Sequence, residues 1–178
     1  MTNIYTNAIV ELSNAKEYNN ANKKKIQKLV LLANDARVAD ALSENNVDAA
    51  RFNARALYAT EKCVKIVYEA TRDMLSVADL NENAFAAIKC ALLCKAADAH
   101  LLKSDIEASL LSDVKVSAER ADFIYQRKAK ISATAQVQQC IDMLKTLNIV
   151  KEVARNTFEV LDSALLDTFE EKFAQVAI

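Results

Sequence analysis

Residues 47–78 read VDAARFNARALYATEKCVKIVYEATRDMLSVA, and their apolar spacing decides the fold class. Phe52, Ala56, Ala59, Cys63, Ile66, Ala70, Met74 and Val77 recur at intervals of three and four. At the 3.6-residue period of an α-helix such positions align in one stripe. Leu57, Val64, Tyr68 and Leu75 make a second stripe beside it, which leaves Glu61, Lys65, Glu69 and Arg72 on a narrow charged edge. A helix with two apolar stripes needs neighbours on two sides. The charged edge reads as a solvated face, with opposite charges four residues apart contributing a few tenths of a kcal/mol per pair.

The rest of the chain supports an all-helical reading, because its 178 residues include no glycine and no proline. Ordinary usage would supply roughly a dozen glycines. Their absence removes the residues that usually build hairpins and tight turns. It also removes the glycine-dependent loops of nucleotide-binding motifs and nucleophile elbows. With 52% hydrophobic and 26% charged residues, the composition is too apolar for disorder and too charged for a membrane protein. Lys+Arg 23 against Asp+Glu 24 leaves a net charge of -1, so no global field draws the chain to nucleic acid or to an anionic membrane. No run approaches the roughly 20 apolar residues of a membrane span. The segment Met1–Leu12 lacks the basic and apolar regions of a secretion signal. The expected location is the cytoplasm, or a particle assembled inside the cell. Cys63, Cys90, Cys94 and Cys140 lie in helical segments and read as buried, reduced thiols.

Asparagine takes over the punctuation, since it tolerates the left-handed conformation and is also a good helix N-cap. Asn19, Asn20 and Asn22, then Asn45-Asn46, then Asn81 to Asn83 separate expected helices over about 3–18, 23–42, 47–78 and 84–102. The fourth is apolar on both sides and reads as the centre of the bundle or as a helix shared with a partner chain. Ser104-Asp105-Ile106-Glu107 has the form of a capping box. Residues 105–147 then read as one helix or two, with a rotation of the apolar face between Lys130 and Gln136. Asn148 is expected to cap a final helix that places Val150, Ala154, Phe158, Leu161, Leu165, Phe169 and Phe173 on one side. The expectation is one all-α domain, residues 1–178, built as a bundle of five or six long, mostly antiparallel helices.

The chemistry-bearing residues are sparse. His100 is the only histidine, and with Cys90 and Cys94 it makes the sole conceivable soft-metal set, short of a fourth ligand. Nothing pairs His100 with a nucleophile. No catalytic residue, metal or cofactor is therefore assigned. Lys23, Lys24, Lys25 and Lys28 form the sharpest charge feature: Lys16–Arg37 carries six basic and two acidic residues, net +4, whereas Glu152–Lys172 carries six acidic and two basic, net -4. These segments read as solvated faces, as charge-guided contacts between chains, or less readily as a nucleic-acid contact through Lys23–Lys28, since no aromatics interleave the lysines. The expected protein interface is the Phe158, Phe169 and Phe173 stripe, or the fourth helix with Cys90, Cys94 and nearby Leu101. The function these features suggest is a non-catalytic structural or assembly protein that packs with itself or in a larger complex, in the style of a virus or phage particle component. The alternative is a helical adaptor or chaperone that offers an apolar groove.

Overall fold

The computed structural model describes residues 3–14, 20–52, 57–72, 81–126 and 133–174. The fold is mostly helical. Helices α1 (Ile4–Leu12) and α2 (Asn20–Ala33) form an antiparallel pair, tied where Asn3 Nδ2 donates to the Ala33 carbonyl at 2.8 Å. Helix α3 (Ala36–Glu44) follows, then a 3₁₀ turn over Ala49–Arg51, α4 (Leu57–Ala70) and α5 (Glu82–Ala96). Strand β1 (Leu101–Leu102) leads into α6 (Lys103–Leu110), a 3₁₀ segment over Ala118–Phe123 and α7 (Ala135–Thr146). Strands β2 (Val150–Ala154) and β3 (Thr157–Val160) precede the last described helix, α8 (Ala164–Ala174).

Helix α4 is the hub and lies against α2, α3, α5, α7 and α8. Leu57, Cys63, Val64, Ile66, Val67 and Ala70 are all buried there, as two apolar stripes require. Helix α5 is covered by the same chain: α6, α7, α8 and the 3₁₀ segment pack on it, and Ala84, Ala86, Ala87 and Ala91 permit close approach. One hydrophobic cluster runs from Tyr5 to Phe173. At its α5–α8 side, Phe169 stacks on Phe173 with centroids 5.4 Å apart, and Phe173 meets Phe85 edge-on at 4.6 Å. Such pairs contribute about 0.5–1.5 kcal/mol each beyond their buried area.

Several expectations are corrected. The helices are shorter and more numerous than a bundle of five or six long ones: among the described residues there are eight α-helices, and the longest, α5, has 15 residues. The helix expected over 23–42 breaks at Asn34-Asp35, where Asp35 Oδ1 accepts from Arg37 N at 3.0 Å and caps α3. The helix expected from Val47 begins later, because Asp48 caps the 3₁₀ turn and Phe52 lies outside α4; residues 53–56 and 73–80 fall outside the described residues. The fourth helix stops at Ala96. Residues 105–147 hold two α-helices and the 3₁₀ segment between them, and α7 begins at Ala135; of the expected rotation at 130–136, residues 130–132 lie outside the described residues. The capping box is displaced: Asp105, not Ser104, closes the N-terminus of α6, accepting from Leu102 N at 2.8 Å.

The largest correction is at residues 150–160, which form an antiparallel hairpin instead of helix. β3 is the central strand of a three-stranded sheet, order β1-β3-β2, pairing Phe158 with Leu101 on one side and with Glu152 on the other. Val150, Val153, Thr157 and Val160 are β-branched and favour extended backbone. Phe158 is the one fully inward residue of β3, so its place in a helix-like spacing was coincidental. Asn156, at φ 61°, supplies the left-handed turn residue that glycine usually provides.

Asparagine and aspartate do stand in for glycine. Among the described residues, those with positive φ are Asn46 (53°), Asp98 (50°), Asn148 (52°) and Asn156. The first three each close a helix with the same pair of bonds, in which the residue after the turn reaches back to the last helical turn: Val47 N to Leu42 O (3.0 Å), Ala99 N to Cys94 O (2.9 Å) and Ile149 N to Leu144 O (3.0 Å). This is the Schellman arrangement, normally built on glycine. Two of these ends are clasped together. Asn148 Nδ2 donates to Asn45 O at 3.1 Å and Asn46 O at 2.7 Å, while Asn45 Nδ2 donates to Leu147 O and Asn45 Oδ1 accepts from Leu165 N at 3.4 Å. The clasp joins α3, α7 and the start of α8.

Candidate functional site

The interface expected from sequence proves to be interior. Phe158, Phe169, Phe173, Cys90, Cys94 and Leu101 are each at most 2% exposed, so they offer no surface to a partner while the chain is folded. The physical reason is the hairpin. Folding 150–160 back as sheet brings Phe158 inward and lays α8 on α3, α4 and α5, which cover Phe169 and Phe173. The four thiols are buried as well. Burial pushes Cys90 up to about 11 and Cys94 up to about 12, and raises Cys63 further. Such thiols are protonated and poor nucleophiles.

His100 is drawn into a structural contact through its carbonyl, which accepts from Arg120 Nη2 at 2.9 Å. The same arginine grips Asp105 with Nε at 3.0 Å and with Nη2, and its guanidinium lies 4.0 Å over the Phe123 ring. Asp105 is fully buried. The pair pins the 3₁₀ segment to the start of α6, and hydrogen bonding to Asp105 raises Arg120 above its ordinary value. Nothing in sequence signalled it, because the partners are 15 residues apart, one in α6 and one in the 3₁₀ segment, and no helical period links them. Lys62 is another buried charge: its Nζ donates to Gln136 Oε1 at 2.8 Å, and burial lowers its pKa. Among the described residues, no group of three or more His, Cys, Asp or Glu side chains is arranged to hold a metal ion. No described helix is long and apolar enough to cross a membrane.

The lysine cluster is divided by the fold. Lys25 turns toward α4, where Nζ meets Glu61 Oε2 at 2.7 Å and sits 4.6 Å from the Tyr58 ring centre. Glu61 also holds Lys65 at 2.7 Å; burial raises its pKa, but the two ammonium groups outweigh burial and leave it lowered. Lys23, Lys24 and Lys28 are exposed, and among the described residues they form no ion pair. Gln27 and Leu31 share their face of α2.

Beside these lysines lies an open apolar groove of about 540 Å³, lined by Val10, Ser13, Lys23, Ile26, Gln27, Val30 and Leu31. Leu31 is 75% exposed and Val10 42%. Sequence did carry a signal for Leu31. It stands eight residues after Lys23 and four after Gln27, so the helical period places it on the polar face. A second, polar cleft of about 280 Å³ lies at the clasp, beside Asn45, Asn148 and Ser163, where both asparagines already bond across to the facing helix end. The groove between α1 and α2 is thus the candidate site. No protein-family model, curated protein or solved structure matches the chain.

Proposed function

We propose that this chain is a non-catalytic building block that works by packing against other protein, either copies of itself or members of a larger assembly such as a phage particle. The observation that carries this reading is the apolar α1–α2 groove, with Leu31 standing 75% exposed on its wall. A leucine so exposed beside Val10 and Val30 gains by being covered, at about 25 cal/mol per Å² removed from water. The polar contacts support the same reading, since buried Asp105 and Asn45 and half-buried Arg120 serve to hold helix ends and irregular segments in place. A second reading, an adaptor that seats a helical segment of a partner in the groove, rests on the same surface.

Mass in solution separates the two. Sedimentation across a range of concentrations should show a homo-oligomer if the chain packs with itself, whereas an adaptor remains a monomer. The substitution Leu31→Asp should dissolve the assembly and leave helix content intact. Unchanged assembly by the Leu31→Asp chain would remove the groove from the interface.

A further inference from the structure

Two exposed helix faces of opposite charge stand on this chain. On α2, Lys23, Lys24, Gln27, Lys28 and Leu31 share one solvent-facing stripe. On α8, Ala164, Asp167, Glu170, Glu171 and Ala174 share another. They do not neutralise each other within the chain: α2 packs on α1, α3 and α4, while α8 packs on α3, α4 and α5. Asp167 meets Lys95 at 3.1 Å and Lys89 of α5 lies near enough to Glu170 to act on it electrostatically, but among the described residues Lys24, Lys28, Glu170 and Glu171 form no ion pair. The spacings match. Lys24 and Lys28 are four residues apart, as are Asp167 and Glu171, about 6 Å along each helix; Asp167 is already held by Lys95, so of that acidic pair Glu171 carries the unpaired charge.

Resting on the reading above that the chain packs with other protein, we infer that its partner is a second copy, which sets its acidic α8 stripe along the basic α2 stripe. Ala164, at one end of the stripe, is small enough to let α8 approach Leu31, which supplies the apolar contact, and the carboxylates face Lys24 and Lys28. The two stripes are different surfaces, so the contact is head-to-tail. It closes into a ring or continues as a filament according to the rotation between copies. Exposed ion pairs are screened by salt, so the assembly is salt-sensitive.

The test is sedimentation of the full chain at about 50 and about 500 mM salt, with two double variants. Wild type should assemble at low salt and dissociate at high salt. Lys24→Glu/Lys28→Glu and Glu170→Lys/Glu171→Lys should each weaken assembly by about tenfold or more, with circular dichroism unchanged. Mixed in equal amounts, the two variants should assemble again, because each then offers the charge that the other lacks. If wild type assembles and ignores both reversals, this inference falls and the assembly function stands. If each variant dissociates and the mixture does not recover, the lysines meet something other than α8, and the inference falls. A wild-type chain that is monomeric at all concentrations and salts sinks both the inference and self-packing.

Discussion

Replacement of Asn148 separates two roles that one residue plays. Its backbone, at φ 52°, ends α7 in the left-handed conformation, and its side-chain amide donates to the carbonyls of Asn45 and Asn46 at 3.1 and 2.7 Å. Asn148→Gly keeps the backbone unstrained and deletes both donated bonds. A net hydrogen bond contributes about 0.5–1.5 kcal/mol, so this variant should lose about 1–2 kcal/mol, because water reaches the exposed Asn46. Asn148→Ala deletes the same bonds and adds about 1 kcal/mol, because alanine keeps the Cβ but lacks the local polar contact by which asparagine tolerates the left-handed region, for a loss of about 2–3 kcal/mol. For a chain of this size the shifts in melting temperature are roughly 4 °C and roughly 8 °C. Asn46 is the control. It has nearly the same φ, 53°, but among the described residues its side chain holds no partner, so Asn46→Gly should match wild type within about 0.5 kcal/mol and Asn46→Ala should lose about 1 kcal/mol. Urea unfolding followed by circular dichroism measures all four. Wild-type stability for Asn148→Gly would show that the clasp contributes nothing, and equal stability of the glycine and alanine variants would refute the backbone argument.

Arg120→Met should destabilise the chain by about 3–5 kcal/mol, because it strands the buried Asp105 carboxylate; combining it with Asp105→Asn should recover part of that loss in the same unfolding assay. Lys62→Met should stabilise by about 1 kcal/mol at neutral pH, since it removes a buried charge whose hydrogen-bond acceptor is a neutral amide. Burial depresses the Lys62 pKa, so the unfolded chain binds more protons between the native and the unfolded values; wild-type stability rises with pH through that window, and the Lys62→Met chain should lack that rise. Glu61 is lowered in the native state, so its contribution is present above the unfolded carboxylate pKa, about 4.3, and disappears as pH falls through the lower native value; Glu61→Gln should flatten that acid limb. Of the four thiols, Cys63 should label last under native conditions, and its rapid modification would contradict its complete burial.

Asparagine at 45–46 and 81 marked real breaks because the choice there is local: a residue tolerating positive φ, or one able to cap, ends or starts a helix whatever lies around it. Asp35 works by the same chemistry. The apolar pattern runs on across it from Leu29 to Val38 and Leu42, and periodicity alone does not register a cap inside a continuing stripe. The displaced capping box at α6 is the reverse case, since Ser104 fits the motif and Asp105 makes the bond. The lysine face was visible in the sequence, but the loss of Lys25 to Glu61 depended on where α4 lies.

The missing glycine and proline, together with the three-and-four spacing around Cys63, were sufficient for a mostly helical chain with α4 buried on several sides, because helix preference and amphipathic burial are properties of short stretches. Residues 150–160 were different. Val150, Ala154 and Phe158 satisfy a helical spacing, yet β-branched neighbours and pairing with Leu101-Leu102, some fifty residues earlier, make sheet the better solution. That long-range pairing also determines which way α8 runs, and so whether Phe169 and Phe173 are core or surface. A strand's stability lies in its partner, and a partner distant in sequence leaves no local trace.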